Sequence, residues 1–217
     1  MHFHLPKPLH GWREFVGEVG IIVLGVGIAL GAEQLVESWQ WHRKVAVVRK
    51  SIMSELANDR ARWEVNITEA GCDLHEIDRV NRAVQNSAAG KPLPKDNLQN
   101  FFWMNSANWG LATSSQALEH FPVDQQLAFA TLYDGISHRQ VDIEKADDLM
   151  GRVSALVPFA TDAQGRRELG TALASLKLQI GIFIYNNAYI RRHFDAVGVK
   201  PDRTDLGPEI GGSNCAS

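Results

Sequence analysis

Between Phe15 and Val36 apolar residues follow one another almost without interruption: 22 residues carry only two charges, Glu18 and Glu33, with 14 uncharged residues between them. Beyond this run the pattern turns periodic. Trp63, Ile67, Ala70, Leu74, Ile77 and Val84 recur at heptad-like spacing, which predicts a helix continuing, with at most one break, to Asn86. Gly90, Pro92 and Pro94 end it within Ser87 to Lys95. Asp96 with Gln99 offers a helix start, and Leu98 to Trp103 form a short apolar segment. A loop from Asn105 to Ser114 then leads to a short helix, Ser115 to His120. Pro122 opens a longer helix on which Phe129, Leu132, Ile136, Ile143, Ala146, Met150, Val153 and Val157 share a face, and Pro158 closes it. Thr161 and Gln164 read as a capping box for the last helix. There Leu169, Leu173, Leu176, Ile180, Phe183, Asn187, Ile190 and Phe194 alternate by four and three. Asn187 either sets register in a coiled seam or marks where the bundle meets water. Pro201, Gly207, Pro208 and the Gly-Gly-Ser-Asn ending predict a disordered tail from Val199.

The first run admits two incompatible readings. Gly25-Val26-Gly27-Ile28-Ala29-Leu30-Gly31 resembles a dinucleotide-binding turn, but that fingerprint needs a βαβ context. From Glu33 to Asn86 there is no proline, no strand-like alternation and only one glycine, Gly71, so the context is missing. The membrane reading fits better. Fourteen uncharged residues are too few for a hydrocarbon core of ~30 Å, whereas the 22 from Phe15 to Val36 suffice if Glu18 and Glu33 lie at the headgroups. Trp12 on one side and Trp39 and Trp41 on the other make an aromatic belt. A buried helix of a soluble core and a cleaved signal peptide remain as alternatives. Ala29-Leu30-Gly31 loosely fits a cleavage site, while Glu14 and Glu18 argue against one. Gly20, Leu24, Gly27 and Gly31 share one face and allow close packing of two such helices, the expected homodimer contact; glycine is also simply common in membrane helices.

Gly17-Glu18-Val19, the run Ile21 to Val26 and Ile28-Ala29-Leu30 together resemble the opening of an uncharacterised bacterial family of single-pass membrane proteins, which begin with a Gly-Glu-Ile/Val, apolar, Gly, Ile-Ala-Leu signature. Ser54-Glu55-Leu56-Ala57-Asn58-Asp59 matches the long helix that follows in that family. Trp109, Ser115-Gln116-Ala117-Leu118 and Tyr133 are similar to a weaker second motif. The resemblance implies an inner-membrane anchor and a helical fold, and no biochemical activity. It also decides orientation. Lys7, Arg13 and the amino terminus nearly balance Arg43, Lys44, Arg49 and Lys50 across the span, and the family's basic amino-terminal tails favour a cytoplasmic amino terminus with a periplasmic bundle.

The expected architecture is all-α: a tail to residue 14, a transmembrane helix over 15–37, an antiparallel helical bundle over 38–198 and a tail over 199–217. A second crossing at Leu178 to Ile190 is excluded, because 13 uncharged residues are too short. Composition adds little: 217 residues, 45% hydrophobic and 22% charged, suit one folded domain. A net charge of -3 without a basic tract gives no reason to expect nucleic acid. Cys72 and Cys215 are too few for a disulfide framework and either pair or are unrelated thiols.

No catalytic, cofactor or metal motif is present in the sequence. Cys72 with His75 and His138 with Asp142 could each place two metal ligands on one helix face, but neither has a second pair. His2, His4 and His10 enrich the amino terminus in histidine, which reads as a surface tail. Asp142, Glu144, Asp147 and Asp148 form an acidic cluster interspersed with Lys145 and Arg152, either a cation or basic-partner site or a solvated face. The reading is a non-enzymatic scaffold or sensor: a bilayer anchor, a helical domain that binds a partner or ligand, and a dimer through Gly20, Gly27 and Gly31. The alternative is a membrane-anchored enzyme or metal-binding protein using the region of His138 and Asp142.

Overall fold

The computed structural model describes residues 11–88, 90–204 and 206. Among them the regular elements are all helical: α1 (Trp12–Asn86), α2 (Ala107–Ser114), α3 (Val123–Leu156), α4 (Ala163–Tyr185) and α5 (Asn187–Val197), with short 3-10 turns at Ala117–His120 and Val157–Phe159. The chain divides into two compact units, Met1–Val47 and Val48–Ser217.

The second unit is a bundle whose directions follow from its side-chain pairs. Asp78 meets Lys177, Trp63 meets Phe183, and Arg60 meets Asp195, so α1 runs antiparallel to α4 and α5. Glu55 meets Tyr133 near the start of α3, so α1 and α3 run in the same sense. The predicted apolar faces form the core. Phe129, Leu132, Ile136, Ile143, Ala146, Met150, Val153 and Val157 are all buried, as are Leu169, Leu173, Leu176, Ile180, Phe183, Ile190 and Phe194. On α1, Trp63, Ala70 and Ile77 are buried, while Ile67, Leu74 and Val84 are half-buried. Gly135 permits the close approach of α3 and α5, since a Cβ there would meet Ile190 Cδ1 at 2.9 Å.

Several local expectations change. Asp96 to Trp103 form no helix: residues 91–106 are extended, because Asp96 points its carboxylate at Ser154 Oγ (2.9 Å) instead of capping a turn. The expected loop from Asn105 to Ser114 is mostly helix α2, and the expected helix Ser115 to His120 shrinks to a 3-10 turn entered through Gln116 at φ 57°. The cap of α4 is Asp162 and not Thr161: its carboxylate accepts Gly165 N–H at 2.7 Å, and Gln164 donates to Glu168. The last helix is interrupted at Asn186. Asn187 opens α5 half-buried and accepts Trp63 Nε1–H at 2.9 Å, so it satisfies a core indole at the edge of water. At the far end Gly198 (φ 75°) closes a Schellman motif, with Val199 N–H bonded to Phe194 O and Gly198 N–H to Asp195 O. The chain then docks back on α1: Val199 is buried, Asp202 N–H reaches Ala57 O at 2.9 Å and Arg203 pairs with Glu64. Residues 205 and 207–217, including Cys215, lie outside the described residues, as do His2, His4, Lys7 and His10.

Candidate functional site

The first unit presents the apolar part of α1, which is long and apolar enough to cross a membrane; none of its 18-residue apolar stretch is buried. Ile21, Ile22, Val23, Leu24, Ile28 and Leu30 stand more than half exposed. An apolar surface that large and continuous calls for a partner or a bilayer. Gly20, Gly27 and Gly31 face open space, with nothing within 4 Å of where a Cβ would stand. Trp12 and Phe15 pair their rings at 6.0 Å at one end. Near the other, Arg43 lies 4.8 Å over Trp39 and Lys44 lies 4.5 Å over Trp41, the pairing of aromatic and cation found at a headgroup level. Glu18 and Glu33 are exposed on the same helix.

The second unit holds an arrangement not foreseen from the sequence. The extended strap over residues 91–106 has no helix or strand partner, so its backbone donors need side-chain acceptors. Most of these come from α1. Glu76, Asp73, Asn66, Asp59 and Glu55 accept in turn from the N–H groups of Asn97 (2.8 Å), Gln99 (3.0 Å), Phe102 (2.7 Å), Asn105 (2.8 Å) and Asn108 (2.9 Å). Two spacings coincide here. Asp73, Asn66 and Asp59 are seven apart, while Gln99, Phe102 and Asn105 are three apart. Seven helical residues rise ~10.5 Å, and three extended residues advance ~9 to 10 Å, so the register is kept from rung to rung. The same three-residue period sends Leu98, Phe101 and Met104 inward, where Phe101 stacks on Phe183 at 5.1 Å. Asn66 makes the middle rung double, also donating to Phe102 O at 2.8 Å.

The outer rungs are ionisable and buried. Asp59 is 0% exposed and Asp73 1%. Burial pushes each carboxyl up to about 7, the bond from Asn105 or Gln99 opposing it. Glu55 raises Asp59 further and Arg62 lowers it; Glu69, Glu76 and Asp147 raise Asp73. Asp59 Oδ2 and Asp73 Oδ2 have no hydrogen-bond partner. Burial also raises Tyr133, whose hydroxyl donates to Glu55 Oε1 at 2.7 Å and whose ring stacks on Trp109 at 5.0 Å.

Two surface features complete the unit. A cleft of about 320 Å³ between α1 and α5 is lined by Arg60, Trp63, Glu64, Asn187 and Arg191. An apolar groove of about 490 Å³ runs over the outer side of α4, past Ala174, Leu178, Ile182 and Tyr185.

The paired metal ligands do not assemble. His138 is exposed and lies 3.7 Å from Asp134, while Asp142 turns to Arg139 at 2.7 Å and Gln179. Among the described residues no group of three or more His, Cys, Asp and Glu could hold a metal ion. Cys72 is held in a disulfide and His75 is exposed. The acidic cluster splits: Glu144 and Asp148 are solvated, whereas Asp142 and Asp147 point inward, Asp147 accepting Phe101 N–H at 3.4 Å. Compared with known proteins, the chain matches no family model, no curated protein and no solved structure.

Proposed function

We propose that this is a single-pass protein of the bacterial inner membrane whose helical domain binds a protein partner or a ligand without catalysing a reaction. The observation that carries the reading is the unburied apolar stretch of α1, bounded by Trp12 and by the Trp39 and Trp41 cation pairs. That the stretch is unburied and that α1 runs on from it to Asn86 support an anchor over a soluble core helix or a signal sequence. The resemblance to single-pass membrane proteins belongs to the same proposal, as do the homodimer through Gly20, Gly27 and Gly31 and the periplasmic placement of the bundle. The disulfide at Cys72 supports an oxidising compartment. The cleft between α1 and α5 and the groove on α4 are the surfaces on offer to a ligand or partner.

Alkaline carbonate extraction of bacterial membranes tests the anchor. The full chain stays in the pellet, and deletion of residues 15–36 releases the remainder; release of the full chain overturns the reading. Fusions of the full chain, at its carboxyl end, to alkaline phosphatase and to green fluorescent protein then test the side. Phosphatase activity without fluorescence is expected, and fluorescence without phosphatase activity refutes the periplasmic placement.

A further inference from the structure

The rungs that hold the strap differ in one respect that bears on regulation. Asn66 cannot titrate, whereas Asp59 and Asp73, seven residues to either side, can. Each aspartate bonds one oxygen to a single backbone N–H, that of Asp59 also lying 3.7 Å from Arg62 Nη1, and leaves the other, buried, without a hydrogen-bond partner. An ionised carboxylate offers about four acceptor sites, so a burial that fills one is costly to the charged form and far less so to the protonated form. The surroundings add to this. Asp59 faces Glu55 and Arg62 on α1 and the Tyr133 hydroxyl on α3, with the Asn105 N–H from the strap. Asp73 faces Glu69 and Glu76 on α1, Asp147 on α3 and the Gln99 N–H from the strap. Like charges dominate, most fully at Asp73. Lifting the strap hydrates both carboxyls without unwinding any helix, because residues 91–106 belong to none.

We propose that the strap is a pH-responsive clasp on α1, shut while Asp59 and Asp73 are protonated and loosened as they ionise, with Asn66 as the rung that pH does not touch. Loosening uncovers Phe101, Met104 and the Phe183 ring on which Phe101 stacks. The proposal is independent of whether α1 crosses a bilayer.

Its direction follows from the burial of the two carboxyls. Held near 7 in the closed state and near the ordinary aspartate value when hydrated, each carboxyl favours opening as pH rises from about 4, and the effect levels off above about 7. Between about pH 5 and about pH 8 the opening equilibrium rises up to roughly a hundred-fold for each carboxylate released. Hydrogen exchange on the full chain in detergent micelles reads this, with each rate divided by the intrinsic rate at the same pH. Protection over residues 96–108 is expected to lie below that of α3 throughout, as local opening requires, and to fall at least ten-fold from about pH 5 to about pH 8. In Asp59→Asn/Asp73→Asn the fall is abolished; should the double variant not fold, Asp73→Asn alone removes part of it. A flat native profile, an equal fall in the variant, or strap protection equal to that of α3 throughout overturns the proposal.

Discussion

Replacing Asn66 by alanine tests the ladder at its most tightly specified rung. Asn66 is fully buried, and its amide bonds both the N–H (2.7 Å) and the C=O (2.8 Å) of Phe102, much as a neighbouring strand would. Asn66→Ala removes two hydrogen bonds, each contributing about 1 kcal/mol net, and leaves a donor and an acceptor that cost about 1 to 3 kcal/mol apiece wherever water cannot reach them. Phe102 is half-buried, so water recovers part of that loss. A destabilisation of about 3 kcal/mol results, or about 6 to 12 °C in Tm for a domain of this size. Thermal unfolding of the full chain in detergent, followed by circular dichroism, measures it. Asn66→Asp sharpens the test. Burial and the facing Phe102 carbonyl favour the protonated carboxyl there, as burial does at Asp59 and Asp73, so the variant behaves like alanine only in alkaline solution, where the ionised carboxylate sets an oxygen against that carbonyl. At lower pH the protonated carboxyl donates to that carbonyl and stability returns. If Asn66→Ala melts within about 2 °C of the native chain, the strap is not held by this ladder and the reasoning fails.

The native chain has its own pH dependence. Asp59 and Asp73 are raised, so between about pH 4 and about pH 7 the folded state binds more protons than the unfolded, and stability falls as pH rises through that window. The fall from about pH 5 to about pH 8 is at most about 3 kcal/mol per group, readable as Tm against pH; a Tm that rises over that range contradicts the assignment. Phe183→Ala, at a fully buried ring contacting Trp63 and Phe101, is expected to destabilise by about 3 to 5 kcal/mol in denaturant titration, and a loss under about 1 kcal/mol would mean that the rings do not form the core. Gly27→Leu with Gly31→Leu is expected to abolish crosslinked dimer in membranes, and an unchanged yield refutes packing through that face. Cys72 is expected to resist maleimide labelling in the unfolded chain until a reductant is added, and immediate labelling contradicts an oxidised pair.

What was legible in the sequence is what depends on local periodicity. The faces of α3 and α4 could be read because each turns a continuous apolar stripe into the core, so the order of apolar residues states which side is buried. The strap was illegible for the complementary reason. Asp96 and Gln99 look like a helix start in isolation, and only the row of acceptors on α1 makes an extended path better satisfied than a helical one. A trace was there in Asp59, Asn66 and Asp73 at seven-residue intervals, beside Leu98, Phe101 and Met104 at intervals of three. Polar residues in a heptad register normally mark a solvated face, and nothing local says that a segment 26 to 46 residues away will cover them.

The same division holds for the chemistry. The candidate pairs Cys72 with His75 and His138 with Asp142 were spacings on one helix, and spacing cannot tell that Asp142 is taken by Arg139 or that Cys72 is bonded elsewhere. The sequence by itself determined the all-α class, the apolar span of α1 and the buried faces of the long helices, because each is a property of residues near one another in the chain. The course of the strap, the burial of two ionisable rungs, the partner of Asn187 and the return of Val199 to α1 were decided by the tertiary structure. Each depends on which distant group supplies a missing hydrogen bond or excludes water, and that is a property of the packed molecule.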